Sequence, residues 1–135
     1  MKIAIRYYTK TGNTKALAQG VAEVCGIEAL SVDNKLEEDV DILFLCNSIY
    51  AAGVDNSVKK FIEDNTKSIG QIINISSAAM KTSSYKNIKK LTDQKGLTLS
   101  EKEWHCKGQF KIFNKNRPNE ADIEDLKNFV KSIIM

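Results

Sequence analysis

The sequence lacks most of what specialised proteins are built from. It has no run near the ~18–20 consecutive apolar residues that a membrane span needs, so a helical membrane protein is excluded. Its three cysteines, Cys25, Cys46 and Cys106, lie far apart without a C-x-x-C pair, and His105 is its one histidine. A structural zinc site wants four nitrogen or sulfur ligands at close spacing, and a small secreted scaffold wants a dense, even set of cysteines. Neither is present. There is one proline, Pro118, and there is no internal repeat, low-complexity stretch or linker. Collagen and coiled coil are excluded with the rest.

What is present is an ordinary globular composition. The 135 residues are 42% hydrophobic and 27% charged, which is too apolar for a disordered chain and predicts a single domain over residues 1–135. Met1 leads straight into a strand-like run with no charged-then-apolar leader, so a cytoplasmic protein with reduced thiols is expected. Cys25 and Cys46 sit in apolar runs and read as buried thiols. Cys106, within Trp104-His105-Cys106-Lys107-Gly108, is left open.

Charge is unevenly spread. Between Ala18 and Thr66 there are ten acidic and three basic residues, and between Lys81 and Arg117 ten basic and three acidic. Two readings stand: solvated helix faces, or a basic docking surface for an anionic partner. Nucleic acid is not expected, because no basic helix, zinc finger or RNA-binding aromatic motif accompanies the charge.

Periodicity orders the chain. Lys2–Tyr7 reads as a strand, followed by polar turn residues and a helix with Leu17, Val21, Val24 and Cys25 at helical spacing, stopped by Gly26. Ile27–Val32 predicts a short second strand. Asp41–Cys46 is a nearly continuous apolar run, as in a strand covered on both faces. A helix starts near Asp55 or Asn56 and buries Val58, Phe61 and Ile62. Gln71–Ile75 is the fourth strand, and Ser83 to about Gln94 the third helix, with Ile88 and Leu91 inward and Gly96 as its stop. Leu97–Leu99 opens a fifth strand that runs towards Trp104. The last helix has Asn119 as cap, Asp122 in its first turn, and Ile123, Leu126, Val130 and Ile133 on one face.

Such alternation means βαβ units, so the expected architecture is an α/β three-layer sandwich around a five-stranded parallel sheet in order 2-1-3-4-5. Sheets of this kind bind ligands beyond the carboxyl ends of their strands, where the strand order reverses. The segments after strands 1, 3 and 4 are therefore where chemistry is expected.

After strand 1 stands Thr9-Lys10-Thr11-Gly12-Asn13-Thr14. Three hydroxyls, an amide and a glycine at a helix N-terminus make a cradle for an anion, since unpaired N–H groups and the positive dipole end point at it. No Walker loop or G-x-G-x-x-G fingerprint is present, so one phosphate monoester suits it better than a pyrophosphate.

This motif, directly after a first strand, resembles the phosphate loop of flavodoxins, which bind flavin mononucleotide (FMN). The element order over all 135 residues is similar to the short-chain form of that fold. The closing segment Arg117-Pro118-Asn119-Glu120-Ala121-Asp122 and its amphipathic helix also look like the family's. The resemblance implies that Thr9, Lys10, Thr11, Gly12, Asn13 and Thr14 hold the phosphate. It also implies that Ser48, Ile49, Tyr50, Ala51, Ala52 and Gly53 lie against the flavin ring. Tyr50 is the candidate to stack on that ring, and Gly53 or Ala52 the place for a peptide flip that stabilises the one-electron-reduced flavin. In the third loop, Ser76, Ser77, Ala78 and Ala79 present backbone groups to the pyrimidine edge.

The chain departs from the family in two ways. Its third loop, Ser76–Thr82, has no glycine, acid or aromatic residue, and Met80 stands open between a soft lid on the ring and a plain core or surface residue. Family members that carry electrons are typically acidic, whereas Lys81, Lys86, Lys89, Lys90, Lys107 and Lys111 lie on or beyond this loop. A redox partner protein with an acidic docking face is thus expected, with no nucleic acid and no membrane as partner. Positive charge near the flavin should also favour the anionic two-electron-reduced form.

The segment Ser100–Asn116, with Trp104, Phe110 and Phe113, is longer than a minimal connection. It reads as a surface loop anchored by aromatics, a small extra strand, or a cover for the flavin site. The function expected is electron transfer between protein partners through FMN. The alternatives are an FMN-dependent reductase of a small quinone-like or other substrate, using NAD(P)H or a partner as electron source, and a flavin-free interaction module. No residue is singled out as catalytic or metal-binding. A response-regulator receiver domain would need clustered carboxylates after strand 1 and an Asp ending strand 3, where Arg6-Tyr7-Tyr8 and Cys46-Asn47-Ser48 stand instead. A Cys-x₅-Arg phosphatase is excluded because no cysteine has an arginine six positions on.

Overall fold

A computed structural model of the chain describes residues 1–49, 53–78, 83–108 and 116–135. The order of elements is β1 (Ile3–Tyr7), α1 (Asn13–Cys25), β2 (Ala29–Ser31), β3 (Val40–Ser48), α2 (Asn56–Asn65), a 3₁₀ turn (Thr66–Ser68), β4 (Ile69–Ala78), α3 (Tyr85–Lys95), β5 (Thr98–Lys107) and α4 (Glu120–Ile134). The strands form one five-stranded sheet in the order β2-β1-β3-β4-β5, and every pairing is parallel.

Side chains alternate across the strands and so feed two cores, one on each face. On one face Leu43, Leu45 and Ile72 pack with Val58, Phe61 and Ile62 of α2 and Ile88 of α3. On the other, Ile42, Phe44, Cys46, Ile73 and Ile75 pack with Leu17 and Val21 of α1 and Leu126 and Val130 of α4. Full burial of each such side chain is worth about 1.5–3 kcal/mol, which is why β3 and β4 read as near-continuous apolar runs. Helices α1 and α3 end at Gly26 and Gly96, and Asp55 and Asn119 cap α2 and α4, as their spacing predicts.

Three details differ from the expectation. The second strand shrinks to three residues, Ala29–Ser31, all half-buried at the sheet edge. The fifth strand is longer, ending at Lys107. Its register against β4 slips between Ile72↔Leu99 and Asn74↔Glu103, so extra residues of β5 bulge around Ser100–Lys102, where Ser100 Oγ accepts the Lys102 N–H at 3.1 Å. The charges at 101–103 break the apolar pattern and conceal the strand, and Ser100–Lys107 is strand rather than connection. Cys25, read as buried, is only partly covered at the end of α1, while Cys46 is buried and Cys106 half-buried.

Candidate functional site

A parallel sheet carries the carboxyl ends of β1, β3, β4 and β5 to one end of the molecule, and the strand order sets β1, β3 and β4 side by side. Tyr7, Cys46, Ile75 and Trp104 stand level across the sheet. The three segments that follow β1, β3 and β4 therefore start from one line.

The first segment meets a helix end that suits an anion. Gly12, the N-cap of α1, has φ 95° and gives the turn no side-chain cap, and the first turn carries no acidic residue. By contrast, Asp55 Oδ2 accepts the Ser57 N–H at 2.9 Å on α2, and Asn119 Oδ1 accepts the Asp122 N–H at 3.0 Å on α4. A Cβ at position 12 would meet nothing within 4 Å, so space lies open over the turn. The left-handed backbone there suits glycine and lets the first N–H groups face a common point. Thr9 Oγ1 accepts the Gly12 N–H at 2.8 Å and shapes the loop from within. Lys10 and Thr11 are exposed and Asn13 half-buried. Thr14 is fully buried and faces inward.

Beneath the three segments the strands turn from apolar to polar, on both faces. On the α1 side Thr14 Oγ1 lies 2.9 Å from Ser48 Oγ, and Ser48 Oγ 3.2 Å from Ser77 Oγ. On the α2/α3 side Asn47 donates to Asn74 Oδ1 at 2.8 Å, Asn74 donates to Ser84 Oγ at 3.0 Å, and Ser76 Oγ accepts the Ser84 N–H at 3.3 Å. Among the described residues, Asn47 Oδ1 is buried without a partner. Buried polar groups normally find partners, so this orphan acceptor marks the end of β3 as a place where stability is not the only demand.

Tyr8 links the first segment to α2. Its hydroxyl bonds the Asp55 carboxylate, which also accepts from the Ser57 side chain and backbone; these bonds, with the charge of Lys10, hold Asp55 below the usual carboxylate range despite some burial. Gly53, also at φ 95°, lies against Asn87, whose Nδ2 would be 3.3 Å from a Cβ there. At the end of β5, Gly108 donates its N–H to Ala78 O at 2.9 Å. A Cβ on Gly108 would stand 2.9 Å from Asn13 Nδ2 and 3.3 Å from Ser77 Oγ. A larger residue there would push the Asn13 side-chain amide aside.

The structure thus sets Gly12, Asn13 and Thr14 beside Ser48, Ser77 and Gly108. Ser76, Ser77 and Ala78, expected in the third loop, are instead buried strand residues at the end of β4, and their backbone groups serve the pairing with β3 and β5. Ile49 is half-buried just after β3. Tyr50, Ala51, Ala52 and Ala79 lie outside the described residues, as do Met80, Lys81, Phe110, Lys111 and Phe113. Asn47, Asn74, Ser84 and Gly108 were not singled out from the sequence as site residues. The available signal was an asparagine inside Ile72-Ile73-Asn74-Ile75, a polar side chain in a strand otherwise buried on both faces. His105 and Cys106 line a cavity of about 250 Å³ with Trp104, Lys107, Arg117 and Asp122. Burial pushes the Cys106 thiol up to about 12, so it is a poor nucleophile. Among the described residues no group of His, Cys, Asp or Glu is placed to hold a metal ion, and no helix is long and apolar enough to cross a membrane.

The strand order and the layers define a class, the doubly wound α/β domains. The family model described as the flavodoxin domain matches residues 4–114, and the chain belongs to that family. It is 30% identical to an uncharacterised protein of Methanocaldococcus jannaschii, over 90% of each chain. Among solved structures it is similar to a flavodoxin from the domain Archaea, with a TM-score of 0.77 at 16% identity, covering 98% of this chain and 96% of that one. It is also similar to a short-chain flavodoxin associated with a non-canonical PDU bacterial microcompartment, with a TM-score of 0.68 at 19% identity, covering 99% and 97%.

Proposed function

We propose that this protein binds FMN at the carboxyl end of its sheet and carries electrons between protein partners. The observation that supports this most directly is the first turn of α1. Its N-cap, Gly12, supplies no side-chain cap, its first turn has no acidic residue, and space lies open above the left-handed Gly12, at the switch between β1 and β3 in a chain of the flavodoxin family. The donor set fits a phosphate monoester, with the backbone N–H groups that open α1 after Gly12, the exposed Thr11 hydroxyl and the Lys10 charge close by. Thr9 and Thr14 turn their hydroxyls to the protein instead, so they shape the cradle from inside.

When bound, the flavin supplies the electron chemistry. The chain supplies position. The first turn of α1 would anchor the phosphate, and the segments that follow β3 and β4 would meet the ring, since Ser76–Ala78 themselves spend their backbone groups on β3 and β5. The polar layers under β3 and β4 keep those segments level. Three free thiols suit a reducing cytoplasm.

The test is a visible spectrum of the purified protein with added FMN, followed by stepwise photoreduction and an NAD(P)H oxidation assay. A shifted flavin spectrum with an accumulating one-electron-reduced form, and little NAD(P)H turnover, is expected. Direct two-electron reduction with NAD(P)H turnover would replace the carrier by a reductase. Absence of FMN binding at micromolar concentration would remove the function and leave the fold.

A further inference from the structure

Thr14, Ser48 and Ser77 come from α1, β3 and β4, and are 0, 6 and 2% exposed. Their hydroxyls form a chain with links of 2.9 and 3.2 Å, in which either atom of each pair could be the donor. Among the described residues these three hydroxyls make no other hydrogen bond. Each hydroxyl has one proton. Ser48, with one proton and two lone pairs, either donates to one neighbour while accepting from the other or accepts from both, and in each arrangement it is the shared partner of Thr14 and Ser77. A change at one end is passed to the other through Ser48, and such chains strengthen cooperatively in a buried setting.

Thr14 stands second in α1, on the turn whose N–H groups point out of the helix. The backbone of Gly108 rests against the far end, where a Cβ would come within 3.3 Å of Ser77 Oγ. The chain therefore ties the first turn of α1 to the end of β4, a strand separated from β1 by β3. We propose that Ser77, acting through Ser48 and Thr14, is a positioning residue for phosphate. The three-hydroxyl chain holds the first turn of α1 at a fixed height over β3 and β4, so that its N–H groups converge on the phosphate of FMN. This rests on the proposed function.

Thr14 and Ser77 share no bond, so coupling between them passes through Ser48 or through Gly108, which lies against both Asn13 and Ser77. Repeating the cycle in Ser48→Ala, which should abolish the coupling, separates the two routes. The experiment measures FMN and riboflavin affinities of the flavin-free protein by fluorescence quenching, for the wild type, Thr14→Val, Ser77→Ala, the double variant and Thr14→Ser, with a thermal midpoint for each. The two flavins differ only in the phosphate. Each single variant should weaken FMN roughly 10-fold, the scale of one hydrogen bond, and leave riboflavin within about twofold. The double variant should fall no further than the weaker single, and Thr14→Ser should keep wild-type affinity. Multiplying losses in the double variant, or equal losses for both flavins, would overturn the chain as a positioning device. If Thr14→Val fails to fold, Ser48→Ala and Ser77→Ala give the same cycle. A wild type that quenches riboflavin but does not favour FMN would overturn the phosphate reading itself, whereas strong FMN binding with an indifferent Ser77→Ala would overturn this inference alone.

Discussion

Arg6 stands inside β1 with 6% of its surface exposed, and its guanidinium meets main-chain carbonyls. Nε donates to Asn34 O at 2.9 Å, Nη1 to Ile5 O at 3.0 Å and Nη2 to Lys35 O at 3.2 Å. Burial lowers its pKa, against the opposing charge of Glu37. The side chain thus fastens the segment between β2 and β3, which crosses the sheet face without a helix. Truncation would leave those carbonyls without their donor, and hydrogen bonds to a charged group are worth about 1.5–3 kcal/mol. Arg6→Ala should lower stability by about 2 kcal/mol in urea unfolding. An unchanged midpoint would mean that the three bonds merely replace water. In sequence, Arg6 looked like an ordinary polar position of a strand, because nothing local says that the 34–35 backbone folds back over it.

At the scale of elements, α4 is held by its first turn. Asn119 and Asp122 exchange side-chain and backbone bonds in a capping box, and Arg117 grips Asp122 through Nε and Nη2, both at 2.6 Å. Burial disfavours the Asp122 charge, but the bonds from Arg117 and the Asn119 backbone, with the Arg117 charge, outweigh it and hold the carboxyl below its usual range. Its contribution is therefore fully present above the unfolded value near 3.9, and is lost as pH falls through the lower folded value. Asp122→Asn should cost about 1 kcal/mol at neutral pH, seen as a lower thermal midpoint. The gap to wild type should close below about pH 4; a gap that persists in acid would assign the loss to packing. Both the cap and the helix face were readable from Asn119, Asp122 and the apolar spacing. The extent of β5 was not, because its bulge inserts Glu101 and Lys102 where alternation should continue.

Over the whole molecule, charge is segregated by position in the fold. Lys86, Lys89 and Lys90 are exposed on α3 and Lys107 ends β5, while Asp33, Glu37, Glu38 and Asp39 are exposed between β2 and β3. Some of it is locally paired, as Lys89 with Asp93 at 3.2 Å and Lys2 with Glu38 at 2.8 Å. Exposed pairs of this kind are worth little, so the long-range field matters more than the contacts. We propose that the redox partner docks on the basic side with an acidic face. The same field should favour the anionic two-electron-reduced flavin. The potential for adding the second electron to bound FMN should thus lie above that of an acidic carrier of the same fold, measured by equilibrium redox titration at low salt. An equal potential would show that the lysines stand too far away, or too well screened, to act.

The sequence by itself determined the alternation of strands and helices, their caps and the strand order. The elements follow from local spacing, with apolar residues every third or fourth position in helices and in short continuous runs in the buried strands, and the strand order from the doubly wound class that such alternation selects. It also marked 9–14 after β1 as a candidate anion site, because hydroxyls, amide and glycine lie within six consecutive residues. Only the tertiary structure decided which polar residues meet beneath it. Ser48 and Ser77 stand 29 positions apart, and Asn47 and Asn74 27, brought together by the register of β3 against β4. A one-residue slip would turn each side chain to the other face, so these meetings depend on register, which the whole core specifies and no short segment encodes.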